Sequence, residues 1–231
     1  VSLSVSATSI TENAGSSLTL TATLSGATDE TVTVGIDTGG TSTEGTDYTD
    51  GSGNVDDITI SAGSTTGTVN FTPTDDSIYE GNETAIISIA SVSGGGASES
   101  GTQSVTITIT ENESAVTVTL TVDATTVAEN GSALTVTATL SGATDETITV
   151  GIDTSGTAIE GTDYNNSLYF PDLTIAAGNT SAFAYFSLVN DTVYEGDETA
   201  TLSIASVTGK TGVTEHLSLI HISEPTRRPI I

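Results

Sequence analysis

The sequence predicts an all-β chain built as two tandem antiparallel β-sandwiches, and three observations carry that expectation. Apolar residues alternate with Thr and Ser at a period of two. Gly- and Asp-rich turns interrupt the alternation at short intervals. One unit of about 116 residues occurs twice. A period of two buries one face of a strand and wets the other. Thr, Val and Ile favour a pleated backbone, while Gly, Asp and Asn supply the turns.

The repeat is explicit. Residues 18–48 (LTLTATLSGATDETVTVGIDTGGTSTEGTDY) match residues 134–164 at 26 of 31 positions. DDSIYEGNET (75–84) returns as NDTVYEGDET (190–199), and SIASVSG (88–94) as SIASVTG (203–209). The spacing is too long for a solenoid repeat and suits a separate domain.

In the first copy, strands are expected near 2–6, 18–24, 31–37, 57–61, 67–73, 84–91 and 103–110. Leu18, Leu20, Ala22 and Leu24 alternate with Thr, as do Val32, Val34 and Ile36, and Val105, Ile107 and Ile109. The run Ala85-Ile86-Ile87-Ser88-Ile89 is ambiguous alone, but its partner reads Ala200-Thr201-Leu202-Ser203-Ile204. Ile86 therefore points outward, and Ala85, Ile87 and Ile89 point in. Seven short strands in about 110 residues indicate an immunoglobulin-like sandwich.

The expected domains are 1–113, 114–209 and a tail, 210–231. The second sandwich starts near Val116, matches through Gly209 and lacks the equivalent of QSVTITITENE (103–113), its native last strand. The stretch LSLIHISEPTR (217–227) resembles a translated sequencing adapter and is set aside as non-native. The alternative is a divergent seventh strand, since Leu217, Leu219 and His221 alternate. On either reading His216 and His221 are not taken as metal ligands. With Val1 first and no signal peptide, the chain reads as an internal fragment.

Charge narrows the function. Residues 1–209 hold 28 Asp or Glu and no Lys or Arg; beyond them Glu215 and Glu224 against Lys210, Arg227 and Arg228 bring the total to −27. Such self-repulsion opposes compaction unless cations relieve it. Nucleic acid is excluded as a partner, because phosphate binding needs a cationic surface. No apolar run approaches the roughly 20 residues of a span, so no membrane insertion is expected. The absence of Cys is compatible with a bacterial surface protein. Catalysis fails on inventory: residues 1–209 have no His, Lys, Arg or Cys for a nucleophile–base pair. Aromatic residues make up only 4%, and a lack of exposed aromatics is expected to disfavour sugar binding.

The carboxylates gather in turns. Glu12 precedes the second strand, Glu44 and Asp47 follow the third, Asp75, Asp76, Glu80 and Glu83 precede the sixth, and Glu111 and Glu113 follow the seventh. Alternate turns of a sandwich fall at one end, so these groups are expected to converge at one pole. Oxygen-only ligands in flexible loops select Ca²⁺ over softer metals. Asp47 has an alternative role in an Asx-turn. Asp29-Glu30 and Asp145-Glu146 are expected in solvated turns at the opposite pole, and Tyr79 and Tyr194 at strand entrances.

TENAG, STEGTDY, ITISAGSTTGTVNF, TDDSIYEGNET and VTITITENE together resemble the Calx-beta family. The resemblance spans 1–113 fully and 114–209 in truncated form. It implies an immunoglobulin-like sandwich with calcium in the loops at one end. By resemblance the ligands fall on Glu12, Asp47, Asp75, Asp76, Glu80, Glu83 and the group Glu111, Asn112 and Glu113. That last group departs from the all-Asp triplet of calcium-sensing members. The second copy matches at Glu129, Asp163, Asp191, Glu195 and Glu198. There Asn190 replaces the first Asp of the pair and the terminal acidic group is missing, so a weaker second site is expected. The leading expectation is a calcium-binding structural repeat of a secreted or cell-surface bacterial protein. Its partners would be calcium ions and neighbouring repeats, with calcium stiffening a stalk at the Ser114-Ala115 linker for adhesion or cell communication. The alternatives are a calcium-sensing regulatory domain and a ligand- or carbohydrate-binding module.

Overall fold

The structure, a computed structural model, describes residues 1–165, 169–193, 195–216 and 219–224. These residues form strands, turns and irregular segments without a helix. The chain separates into two compact units, one of Val1–Asp76 with Gly81–Asn112, the other of Ser77–Glu80 with Glu113–Ile231.

The first unit is a two-layer sandwich. One sheet has the order β1-β3-β7-β5, from Ser2–Val5 (β1), Leu18–Thr23 (β3), Thr66–Pro73 (β7) and Tyr48–Thr49 (β5). The other runs β2-β10-β9-β4-β6, from Ser9–Thr11 (β2), Ser104–Thr110 (β10), Glu83–Ser93 (β9), Val32–Gly40 (β4) and Ile58–Ile60 (β6). Each of the seven expected strands is present. The short β2 and β5 were not legible, because three- and two-residue elements carry no periodicity. The pair β2–β10 is parallel and draws the Glu12 turn beside the end of β10, where Glu12 N–H bonds Thr110 O at 3.1 Å.

Period-two alternation becomes burial. Leu20 and Ala22 on β3, Val32 and Val34 on β4, and Ala85 and Ile87 on β9 are inaccessible, whereas Ile86 is 41% exposed. The outward assignment of Ile86 by comparison with Thr201 therefore holds. Ile89 is half-buried and packs against the same core. A bulge at Gly35/Ile36 shifts the register of β4 on β9, and the freed Ile36 N–H bonds Asp57 Oδ1 at 3.0 Å. The second unit repeats this at Gly151/Ile152, with Ile152 N–H on Asp172 Oδ1 at 3.3 Å.

The second unit has one sheet of order β16-β12-β11-β18, from Ser181–Phe186 (β16), Leu134–Leu140 (β12), Thr117–Val122 (β11) and Thr214–Glu215 (β18). Its other sheet runs β15-β14-β17-β19, from Leu173–Ile175 (β15), Ile148–Gly156 (β14), Glu198–Thr208 (β17) and Leu219–Glu224 (β19). The short β8 (Ile78–Tyr79) is grouped with this unit and pairs with β13 (Ala143–Thr144). Tyr79, expected at a strand entrance, packs instead on this unit's core; Tyr194 lies outside the described residues.

The seventh-strand position beside β17 is not vacant. β19 pairs antiparallel with β17 from Ser203 to Glu198, as β10 pairs with β9 in the first unit. Its inward side chains are Ile220 and Ile222, both buried, while His221 is exposed. Residues 217, 218 and 225–227 of the adapter-like stretch lie outside the described residues.

Candidate metal centres in the acidic turns

Each site begins with an aromatic anchor. In TEGTDY, Tyr48 is fully buried and stacks on Phe71 with ring centroids 4.6 Å apart. Tyr164 stacks on Phe186 at 4.5 Å in the second copy. Burial pushes both phenols above their ordinary pKa, with Thr38 and Thr154 as side-chain hydrogen-bond partners that act in the opposite direction. The preceding Asp is thereby held in place. Asp47 Oδ2 accepts from Thr43 N–H at 2.5 Å, and Asp163 Oδ2 accepts from Ile159 N–H at 2.5 Å. One oxygen of each Asp thus caps its own turn, as the Asx-turn alternative requires. That role does not exhaust a carboxylate with about four lone-pair sites.

The turns are pressed against the sheet by close backbone approach. A Cβ on Gly40 (φ +114°) would sit 2.1 Å from Thr84 O, and one on Gly156 (φ +131°) 2.0 Å from Thr199 O. Only glycine lets the chain pass there at that φ. The acidic neighbours Glu44 and Glu160, four residues further on, act as staples. Glu44 accepts from Val55 N–H at 2.6 Å and from Thr38 Oγ1 at 3.0 Å. Glu160 accepts from Phe170 N–H, and from Thr154 Oγ1 at 3.1 Å. Both carboxylates are committed to holding loops closed, a role the sequence pattern does not reveal because each also depends on a backbone amide well further along the chain, Val55 or Phe170.

The four turns of the first copy do meet. Gly81 N–H bonds Glu111 Oε2 at 2.6 Å, Glu111 N–H bonds Asn82 Oδ1 at 3.0 Å, and Thr74 N–H bonds Asp47 O at 2.9 Å. Asn112 Nδ2 donates to Asp75 Oδ1 at 3.3 Å. Two carboxylate triads result, Glu12–Glu111–Glu113 and Asp47–Glu80–Glu83, each offering three oxygens within 4.8 Å of one another. Glu12 and Asp47 are buried. Asp75 is reached through Asn112 rather than through a triad, and Asp76 belongs to neither triad.

The second copy assembles one triad among the described residues, Asp163–Glu195–Glu198, again within 4.8 Å. Glu129 is beside it, since Asp191 N–H bonds Glu129 Oε1 at 2.5 Å. Desolvation first, then the charges of Asp163, Asp191 and Glu129, hold Glu195 above the ordinary carboxylate range. Desolvation and Asp163 do the same to Glu198. Among the described residues, Glu198 Oε2 is buried without a hydrogen-bond partner. Beneath it lies an apolar floor that includes Val127, Phe186, Leu188 and Ile222. A buried carboxylate oxygen facing like charges is costly unless a cation meets it.

The residues present fit a hard divalent cation. Every donor is oxygen, the donors come from separate turns, and the only Lys or Arg among the described residues is elsewhere: Lys210 Nζ contacts Asp145 at 2.9 Å and Glu146 at 3.5 Å. The Asp29-Glu30 turn joins no triad; Glu30 Oε2 accepts from Gly95 N–H at 3.1 Å. The Asp145-Glu146 turn, expected to be merely solvated, is ion-paired instead.

The sequence argument against sugar binding needs correction. Tyr169, Phe183 and Tyr185 are all strongly exposed, so exposed aromatics are not lacking. Phe183 and Tyr185 sit on β16, where β7 of the first copy has Thr68 and Asn70.

Comparison with known proteins places these features. The Calx-beta domain family profile matches the chain twice, over residues 1–113 and 111–225. No curated protein matches it. Among solved structures, the crystal structure of CBD12 from CALX1.2 aligns at 16% identity and a TM-score of 0.41, covering 97% of this chain and 99% of that one. The apo-form Calx CBD1 domain aligns at 20% identity and 0.38, covering 47% and 96%. The D0-D1 domain of Intimin aligns at 13% identity and 0.31, covering 97% of each.

Proposed function

This chain belongs to the Calx-beta family, and from that premise we propose that its repeats are calcium-binding structural modules of a secreted or cell-surface protein. The observation that carries the reading is the meeting of acidic turns from distant parts of the chain in oxygen-only triads, without a basic side chain among the described residues to balance them. In the first copy Glu12, Glu111 and Glu113 would hold one ion, and Asp47, Glu80 and Glu83 another. In the second, Asp163, Glu195 and Glu198 would hold one. Calcium, when bound, supplies the positive charge that lets these carboxylates share a small volume.

The protein's own residues do the rest. Tyr48 and Tyr164 fix the height of the aspartates, Glu44 and Glu160 close the loops, and Gly81 N–H orients Glu111. Stiffening follows because an ion that binds only the folded turns stabilises them by mass action. Glu113 directly precedes Ser114-Ala115, so ordering that turn also orders the start of the connection to the next repeat. This suits a stalk for adhesion or cell communication, without catalysis.

Calorimetric titration of the intact chain with calcium, paired with small-angle scattering, tests the reading. Micromolar-to-millimolar sites with little change in dimensions support the structural role. Sub-micromolar sites accompanied by a large change in dimensions would replace it with a regulatory sensor.

A further inference from the structure

Two of the chain's few aromatic side chains stand exposed side by side. Phe183 and Tyr185 are each 60% accessible and meet edge to face, with centroids 5.7 Å apart. Their register partners on β12 are Thr137 and Thr135. The first unit builds the same strand with Thr68 and Asn70 at these positions and keeps only the inward ring, Phe71 for Phe186. The fold therefore needs the inward ring and not the outward pair.

The strand that carries them is the outer strand of its sheet. Beyond its end, Ser187 O accepts from Asn165 N–H at 2.7 Å and Val189 N–H donates to Asp163 O at 2.8 Å. Backbone groups of alternate residues point to the same side of a strand. Those of Ser181, Phe183 and Tyr185 consequently face this same edge, and among the described residues no strand pairs with them there. From Asn179 to Asn190 the sequence holds no charged residue, in a chain with 30 acids. Exposed edges are ordinarily guarded by charge, proline or a bulge, and Ser181–Phe186 has neither a charge nor a proline.

We propose that this edge pairs with the same edge of a second copy of the chain. The segment is self-complementary. Antiparallel pairing with the two-fold axis at Ala184 sets Phe183 of each copy opposite Tyr185 of the other. The N–H and C=O groups of those residues, without a strand partner among the described residues, then bond across the axis, and the two four-stranded sheets become one. Such a contact is smaller than a standard interface, so it is weak and reversible. The net charge of −27 opposes approach, and salt screens that repulsion beyond roughly 8 Å under physiological conditions. Pairing therefore strengthens as ionic strength rises. A neutral sugar stacked on the same rings would be indifferent to salt and would leave the chain monomeric.

Sedimentation velocity of the full chain over a concentration series, at low and at high ionic strength, tests this. The expected result is a reversible dimer that is more populated at high salt. Phe183→Thr combined with Tyr185→Asn installs the residues the first unit carries at that register and should weaken association about tenfold. Phe183→Lys should abolish it, and Tyr169→Ser should leave it unchanged, with circular dichroism verifying the fold of each variant. A monomer at every concentration and salt would overturn the proposal. So would a dimer that survives both edge variants, or a glycan array showing sugar binding that depends on these rings in a monomeric chain.

Discussion

The two copies share most of one sequence segment yet differ at their acidic ends. The first copy brings two triads together, with Glu111 and Glu113 contributed after its last strand. In the second, β19 reaches Glu224 opposite Glu198, as β10 reaches Ile109 opposite Glu83. Two to four residues further on, the sequence reads Thr226-Arg227-Arg228, where the first copy reads Glu111-Asn112-Glu113. The last strand of the second sandwich thus keeps the pattern of two inward apolar side chains in register, Ile220 and Ile222, although its sequence differs from that of β10. A site built from the residue types just beyond that strand does not survive so easily. Fold tolerates substitution at the level of pattern; cation binding depends on individual carboxylates.

The sharpest way to break the comparison is to remove one buried aspartate from each copy. Asp47→Asn and Asp163→Asn should each lower the calcium affinity of their own site by about tenfold or more, because anionic ligand count sets affinity. Competition with a chromophoric chelator would read both. Asp163→Asn should leave the first copy's sites unchanged; a loss there would refute independent sites. The first copy should retain the tighter binding.

A second contrast lies in pH. Glu195 and Glu198 are held above the ordinary Glu value of 4.5 by desolvation and by neighbouring carboxylates. Between that value and the raised one, the folded state binds more protons than the unfolded chain, so stability falls as pH rises through the window. Calcium-depleted protein should therefore gain stability in its second unit as the pH is lowered through that window. Calcium should reverse the trend, since protons then compete with the ion. Urea midpoints of the transition that Asp163→Asn shifts, measured at several pH values, check both signs.

The smallest effect belongs to the opposite pole. Burial disfavours the charge on Lys210, but Asp145 and Glu146 outweigh it and raise its pKa overall. The first copy has Gly95 there and no such pair. Lys210→Ala should cost the second unit roughly 0.5–1 kcal/mol by thermal melting and leave calcium affinity untouched. A change in affinity would mean that the two poles communicate.

Much of this is legible in the sequence. Alternation located the seven strands of the first copy, and comparing copies resolved the facing of Ile86. The turn parity of a sandwich was enough to gather Glu12, Asp47, Glu80, Glu83, Glu111 and Glu113. Less was readable where the partner of a side chain is backbone or is set by register. Glu44 and Glu160 look like further ligands until Val55 and Phe170 N–H are seen to occupy them. Asp75 and Asp76 look alike in sequence, and neither joins a triad, while Asp75 accepts a hydrogen bond from Asn112. Phe183 and Tyr185 were not read as surface residues because SAFAYF carries apolar residues on both faces; Thr68 and Asn70 in the first copy and the register with β12 separate them.

The central claim is that converging carboxylates depend on a divalent ion, and melting the intact chain with calcium and then with excess EGTA tests it most directly. At a hundredfold excess over its dissociation constant, one bound ion adds about 2.7 kcal/mol to the unit that holds it. Two resolved transitions should appear, both shifted upward by calcium. Melting curves that superimpose with and without calcium would contradict the account.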